Sequence, residues 1–180
     1  MKQAGIYFFI ASLMFVSCAG TQEPQRTLLY NDSSGMRIEA LIPQGWREYT
    51  NIRAIQEGNL IFQDYRGLAD TSTWIRLRIY DFSSTDPGSL TVNSLLDWQY
   101  ELERQGDTTF SLISKRVEDS VGPKKLGYFD FSVSGVARNY YCRKVVIIGN
   151  SKAGVVDISS RKDEKTFLEF SNDFVKNLRF

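Results

Sequence analysis

The last strands of this chain follow one another closely. Tyr128 to Val133, Asn139 to Ile148 and Val155 to Ser160 each read as strand, with only short stretches between them. A parallel pair needs a crossover of a dozen or more residues, usually a helix. These strands must therefore pair antiparallel. In the first of them Phe129, Phe131 and Val133 alternate with Asp130 and Ser132, the period of two that sends alternate side chains to opposite faces. Gly149-Asn150-Ser151-Lys152-Ala153-Gly154 is a turn that makes a hairpin of the other two.

The same period recurs upstream. Met36, Ile38, Ala40 and Ile42 alternate with Arg37, Glu39 and Leu41, until Pro43-Gln44-Gly45 breaks the pattern before Trp46. Leu60 to Gln63 is a short strand introduced by Gly58-Asn59, and Phe110 to Val117 is another. From Trp74 to Tyr80, Ile75, Leu77 and Ile79 share one face, with Trp74, Arg76, Arg78 and Tyr80 on the other. Asp86-Pro87-Gly88 is a turn.

The period changes twice. Thr91, Leu95, Trp98 and Leu102 lie on one face of a helix that Gly106 ends. Asp163 can cap a second helix with Phe167, Phe170, Phe174 and Leu178 on one face. Each helix has one apolar face, so the expected fold is α+β, a mainly antiparallel sheet covered by two helices.

The chain starts Met1-Lys2, runs apolar from Ile6 to Val16, and continues Ser17-Cys18-Ala19-Gly20. A basic start, a short apolar core and small residues make an export signal. The run is well short of the roughly 20 residues that span a bilayer. Phe15-Val16-Ser17-Cys18 resembles the lipobox of bacterial lipoproteins, which implies cleavage before Cys18 and acylation of its thiol and amine. The lipid on Cys18 would then anchor the protein to a membrane, since two or more chains hold stably where one does not. Ser17-Cys18-Ala19 also fits ordinary cleavage after Ala19, which would release a soluble protein. Residues 1–17 are thus expected to be signal, 18–30 the lipidated cysteine and a polar tether containing Pro24, and 31–180 a single domain. The absence of an aspartate just after Cys18 implies, by likeness to Gram-negative lipoproteins, the outer membrane.

Without Lys2, the 22 basic residues fall to 21 and balance 21 acidic ones. Such a charge gives no reason to expect nucleic acid as a partner. At 42% hydrophobic and 24% charged residues, the chain can build a packed core.

The absence of histidine removes Ser-His-Asp and Cys-His catalysis as well as histidine metal sites. Two cysteines cannot form a structural zinc site, and Cys142 reads as a small buried hydrophobe. No glycine-rich phosphate loop follows a strand. Ser114-Lys115 and Ser151-Lys152 are adjacent on strands, so each pair points to opposite faces and makes no dyad. No cofactor and no metal are expected. Carboxylates assembled in space, with Glu101 and Glu103 the nearest candidates, leave a hydrolase as a remote alternative. These two diverge around the helix and read as solvated charges.

Two features could bind. Trp74, Arg76, Arg78 and Tyr80 place guanidinium groups between aromatic rings, which can hold an anion or stack a sugar or peptide ring. The plainer reading of the same face is an exposed or helix-covered sheet surface with arginine stems packed on aromatic rings. Tyr128, Tyr140 and Tyr141 are further candidate contacts. Tyr140 and Tyr141 lie on opposite faces of one strand, so at least one is expected to face outward. The basic pairs Lys124-Lys125, Arg143-Lys144 and Arg161-Lys162 read as solvated surface.

The order of these elements resembles the PsbP-like superfamily, which includes DcrB-type bacterial lipoproteins. The resemblance rests on Ile42-Pro43-Gln44-Gly45-Trp46, the Trp74 to Tyr80 strand, Leu95 to Leu102, Gly127-Tyr128-Phe129-Asp130-Phe131, Tyr140 to Lys144 and the closing Phe167 to Phe180 segment. It implies an α/β/α sandwich, no catalytic residues, and a binding or assembly role. The resulting expectation is a non-enzymatic envelope lipoprotein that engages a protein partner there. The alternative is a carrier of a small ligand or glycan on the Arg76 and Arg78 face.

Overall fold

The structure is a computed structural model that describes residues 24–33, 35–50, 61–67, 70–82, 91–107, 109–121, 124–135, 139–149 and 151–180. The export signal, Cys18, the start of the tether (19–23), Gly58-Asn59 and the Asp86-Pro87-Gly88 turn lie outside the described residues.

The strands are β1 (Gln25–Asn31), β2 (Arg37–Ile42), β3 (Trp46–Thr50), β4 (Ile61–Gly67), β5 (Thr73–Asp81), β6 (Phe110–Val121), β7 (Lys124–Ser134), β8 (Asn139–Ile148) and β9 (Lys152–Ser160). The helices are α1 (Val92–Gly106), between β5 and β6, and α2 (Glu164–Lys176), after β9. Seven strands form an antiparallel sheet in the order β3-β4-β5-β9-β8-β7-β6. β1 and β2 make a separate two-stranded sheet. The expected α+β fold, a large antiparallel sheet packed against two helices, is what the chain adopts.

One face of the large sheet carries Ile75, Leu77, Ile79, Val145, Ile147, Val156 and Ile158. These pack with Leu29, Ile38 and Ala40 of the small sheet and with Phe167 and Phe174 of α2. The other face carries Phe129, Phe131, Val133, Cys142, Val146, Ala153 and Val155 under Val92, Leu95 and Leu96 of α1. Strands covered on both faces read as apolar runs rather than alternations, as Lys152–Ser160 does. Gly154 allows close approach here, because a Cβ at that position would stand 2.6 Å from Ile38 Cδ1.

Two expectations need correction. Gln25 to Tyr30, read as tether, belongs to β1, because Leu29 is 1% exposed in the core and the strand pairs with β2. Thr91 is the N-cap of α1, its side chain accepting from the backbone N–H of Ser94. The helix then buries Val92, Leu95, Leu96 and Gln99, leaving Trp98 and Leu102 40% and 43% exposed. The helix is therefore rotated toward Val92 and Leu96 from the expected face. The break before Trp46 falls where expected: β2 ends at Ile42, and Trp46 opens β3 and stacks on Phe170 of α2. Asp163 caps α2 as expected, accepting from the N–H of Thr166.

Candidate functional site

The α1 face of the sheet changes character along its width. Beneath the helix it is apolar. Beyond it, strand alternation places Arg76 and Arg78 of β5, Asp157 and Ser159 of β9, and Cys142 and Lys144 of β8 on the same side. The antiparallel register sets Arg76 opposite Asp157, Asp157 opposite Lys144, and Cys142 opposite Ser159. These residues, with Trp74, Phe131, Tyr140 and Glu103, line a cleft of about 210 Å³. Trp74 and Tyr140 form its aromatic rim, their ring centres 6.4 Å apart.

Lys144 is the centre of the charge arrangement. Its Nζ donates to Asp157 Oδ1 at 2.8 Å and lies 2.9 Å from Glu103 Oε1. Arg78 Nη2 donates to the other oxygen of Asp157. Arg76 Nε and Nη2 donate to the two oxygens of Asp64 at 2.6 and 3.0 Å, and Arg66 shares that carboxylate. Ionised groups this deep must be paired. Burial alone would raise the pKa of Asp157, but Lys144 and Arg78 outweigh it and hold the carboxyl below its ordinary range. Burial would lower that of Lys144, and Asp157 outweighs it in turn. Burial pushes the Cys142 thiol up to about 12, where no reactive thiolate forms near neutral pH.

The structure brings together Trp74, Arg76, Arg78 and Tyr140 of the residues singled out in the sequence. It does not bring the others to them. Tyr80 lies against Trp98, edge-on at 5.1 Å, and beside Phe82. Tyr128 is buried on the opposite face, with the Arg143 guanidinium 4.3 Å from its ring centre. Tyr141, also on that face, stacks on Phe167 at 5.8 Å.

Sequence reasoning missed Asp157, and it read Lys144 and Glu103 as solvated charges where the structure turns both into the cleft. Arg143 and Lys144 are not a solvated pair, since each is 2% exposed. Arg143 turns to the α2 face and donates to Asp130 and Asn172. A signal was present: Asp157 stands alone in the apolar run Val155-Val156-Asp157-Ile158, and a buried lone charge requires a partner. Glu101 pairs with Arg104 on the surface, whereas Glu103 enters the cleft.

A second groove, of about 520 Å³, lies between β2 and α2 and is lined by Leu41, Pro43, Phe170 and Phe174 with Asp173 at its margin. It gathers no comparable set of polar groups. Among the described residues no group of three or more Cys, Asp or Glu is placed to hold a metal ion. No helix of the described residues is long and apolar enough to cross a membrane.

Fold and cleft together define a small α+β domain with a charged, aromatic-rimmed recess on one sheet face. The fold is shared with a solved mycobacterial protein, LpqN of Mycobacterium tuberculosis, described as involved in cell envelope biogenesis. The TM-score is 0.57 at 15% identity, over 86% of this chain and 89% of that one. A Bacteroides thetaiotaomicron structure (TM-score 0.47, 10% identity) matches 79% of this chain, which spans 44% of its length. The Pseudomonas aeruginosa protein PA94, of unknown function, matches 82% of this chain and 90% of its own (TM-score 0.46, 14% identity). No protein-family model matches the chain, and no curated protein matches it in sequence.

Proposed function

We propose that this chain is a membrane-anchored binding protein of the bacterial cell envelope, PsbP-like in type. It works without catalysis and receives its ligand in the cleft beside Glu103. The observation that carries this reading is the convergence of polar and aromatic groups from four neighbouring strands and α1 on one recess. A concave site with a few placed polar groups is the usual form of a binding pocket. The envelope address draws on the likeness of Phe15-Val16-Ser17-Cys18 to a lipobox and on the shared fold with LpqN. Lipid on Cys18 would hold the domain at the outer membrane of a Gram-negative cell.

The ionisation pattern favours binding over catalysis. Glu103 and Asp157 do share the cleft, the minimum for a glycoside hydrolase. Yet Lys144 sits between them and holds Asp157 ionised, whereas an acid catalyst needs a pKa raised toward neutrality. The test is native mass spectrometry of the protein purified from its own membranes. A bound mass retained by the wild type and lost in Trp74→Ala/Tyr140→Ala supports the reading. An unliganded spectrum from both opposes it.

A protein partner is the second reading, favoured by Trp98 and Leu102, two exposed apolar side chains one turn apart on α1. Crosslinking in the native membrane, with Cys18→Ala as control, tests it. A reproducible partner lost in the control supports anchored assembly, and no partner in either opposes it.

A further inference from the structure

Among the described residues, the charges lining the cleft do not cancel. Arg76, Arg78 and Lys144 supply three positive charges, against two negative ones on Glu103 and Asp157. Including Asp64 and its second cation Arg66 leaves the same excess of one. Both oxygens of Asp157 are engaged, Oδ1 by Lys144 and Oδ2 by Arg78. Arg78 Nε is buried with no hydrogen-bond partner among the described residues. Gln99, fully buried one turn before Glu103 on α1, likewise leaves its side-chain oxygen and nitrogen without one. Buried polar groups left unpaired are costly in a finished core, so the packing around the cleft is not optimised for stability alone.

On the reading of this cleft as the binding site, we propose that its ligand is a small organic monoanion. A carboxylate is drawn to the Arg76, Arg78 and Lys144 side, and its ring or apolar body rests against Trp74 and Tyr140. The alternatives fit less well. A cation would meet an excess of like charge. A neutral sugar needs acceptors for its hydroxyls, and those of Asp157 are taken by cations. A long polyanion would not fit a recess of about 210 Å³.

Glu103 has a particular place in this scheme. It is the one group α1 contributes to the cleft lining, and its carboxylate faces Lys144 at 2.9 Å. It stands where an incoming carboxylate would compete for the ammonium. Glu103 therefore weakens binding, and its neutralisation strengthens it.

The test is titration of the ¹⁵N-labelled full chain with three small probes that differ in charge: benzoate, benzylammonium and methyl β-D-glucoside. Benzoate should shift the amides of Arg78, Lys144 and Asp157. Glu103→Gln should tighten benzoate by about tenfold, and Arg78→Met should weaken it by at least about tenfold, as for close charge pairs elsewhere. If Arg78→Met does not fold, Glu103→Gln carries the test alone. Binding of the glucoside or benzylammonium without benzoate overturns the anion and leaves the cleft as the site. Benzoate binding that ignores Glu103→Gln overturns the proposed placement. No cleft response to any probe overturns both the ligand class and the binding reading beneath it.

Discussion

Lys144 and Asp157 face each other across β8 and β9 as register partners, with Nζ 2.8 Å from Oδ1. Both are buried in the middle of the sheet, 2% and 8% exposed, with Arg76 as the other register partner of Asp157. A buried ion pair adds little net stability over apolar residues of similar volume, but breaking one is expensive. The pair is therefore better explained by the cleft it helps to form than by any need of the fold.

Removing one partner should expose that asymmetry. Lys144→Met leaves Asp157 and Glu103 without their shared ammonium and should cost about 3–5 kcal/mol. Urea unfolding of Lys144→Met, Asp157→Asn and the double variant should show coupling of about 1–3 kcal/mol. Additive costs would mean the two charges do not act together.

Acid should weaken the fold through the same residues. The folded pKa values of Asp157 and Asp64 lie below the ordinary carboxylate value. In this window the unfolded chain binds more protons, so stability rises with pH. It is fully present above about pH 5, beyond the ordinary carboxylate pKa of about 3.9, and is lost as pH falls through the depressed values. Urea midpoints measured from pH 7 to 2.5 should be flat and then fall. The fall should be shallower in Asp157→Asn.

Gly154 tests the packing between the two sheets. In Gly154→Ala the new Cβ meets Ile38 Cδ1 at 2.6 Å and Met36 Cε at 3.2 Å. The overpacking should cost about 1–3 kcal/mol. Adding Ile38→Val should recover much of that loss in thermal unfolding.

Cys142 is 4% exposed, its thiol accepts a hydrogen bond from Ser159 Oγ at 3.4 Å, and its pKa is pushed up to about 12 by burial. A thiol reagent at pH 8 should leave the native protein unlabelled at Cys142. Labelling should begin only across the urea transition. Rapid labelling of the folded chain would contradict this placement.

The sheet was legible in the sequence because its strands are marked by period and spacing. Trp74 to Tyr80 alternates, and Asn139 to Ser160 leaves room only for a hairpin. β1 was not legible: Gln25 and Arg26 follow Pro24 and look like solvated tether, and only the pairing with Arg37–Ile42 reveals the strand. The face of α1 was misjudged because Trp98 is large and apolar, whereas the helix buries the smaller Val92 and Leu96. At the site, Trp74, Arg76 and Arg78 could be grouped because one strand carries them. Lys144, Asp157 and Glu103 come from three other elements, and only the sheet order β5-β9-β8 brings them to the same recess.

Ligand is proposed to meet this chain at the cleft. The most direct measurement places a photo-crosslinking amino acid at Tyr140, on the cleft rim, and separately at Leu28, which is 48% exposed on β1. Each variant is irradiated in its native membrane and its adducts are read by mass spectrometry. A discrete adduct should form at position 140 and be absent from position 28. Equal capture at both positions, or none at 140 with the protein folded, would contradict it.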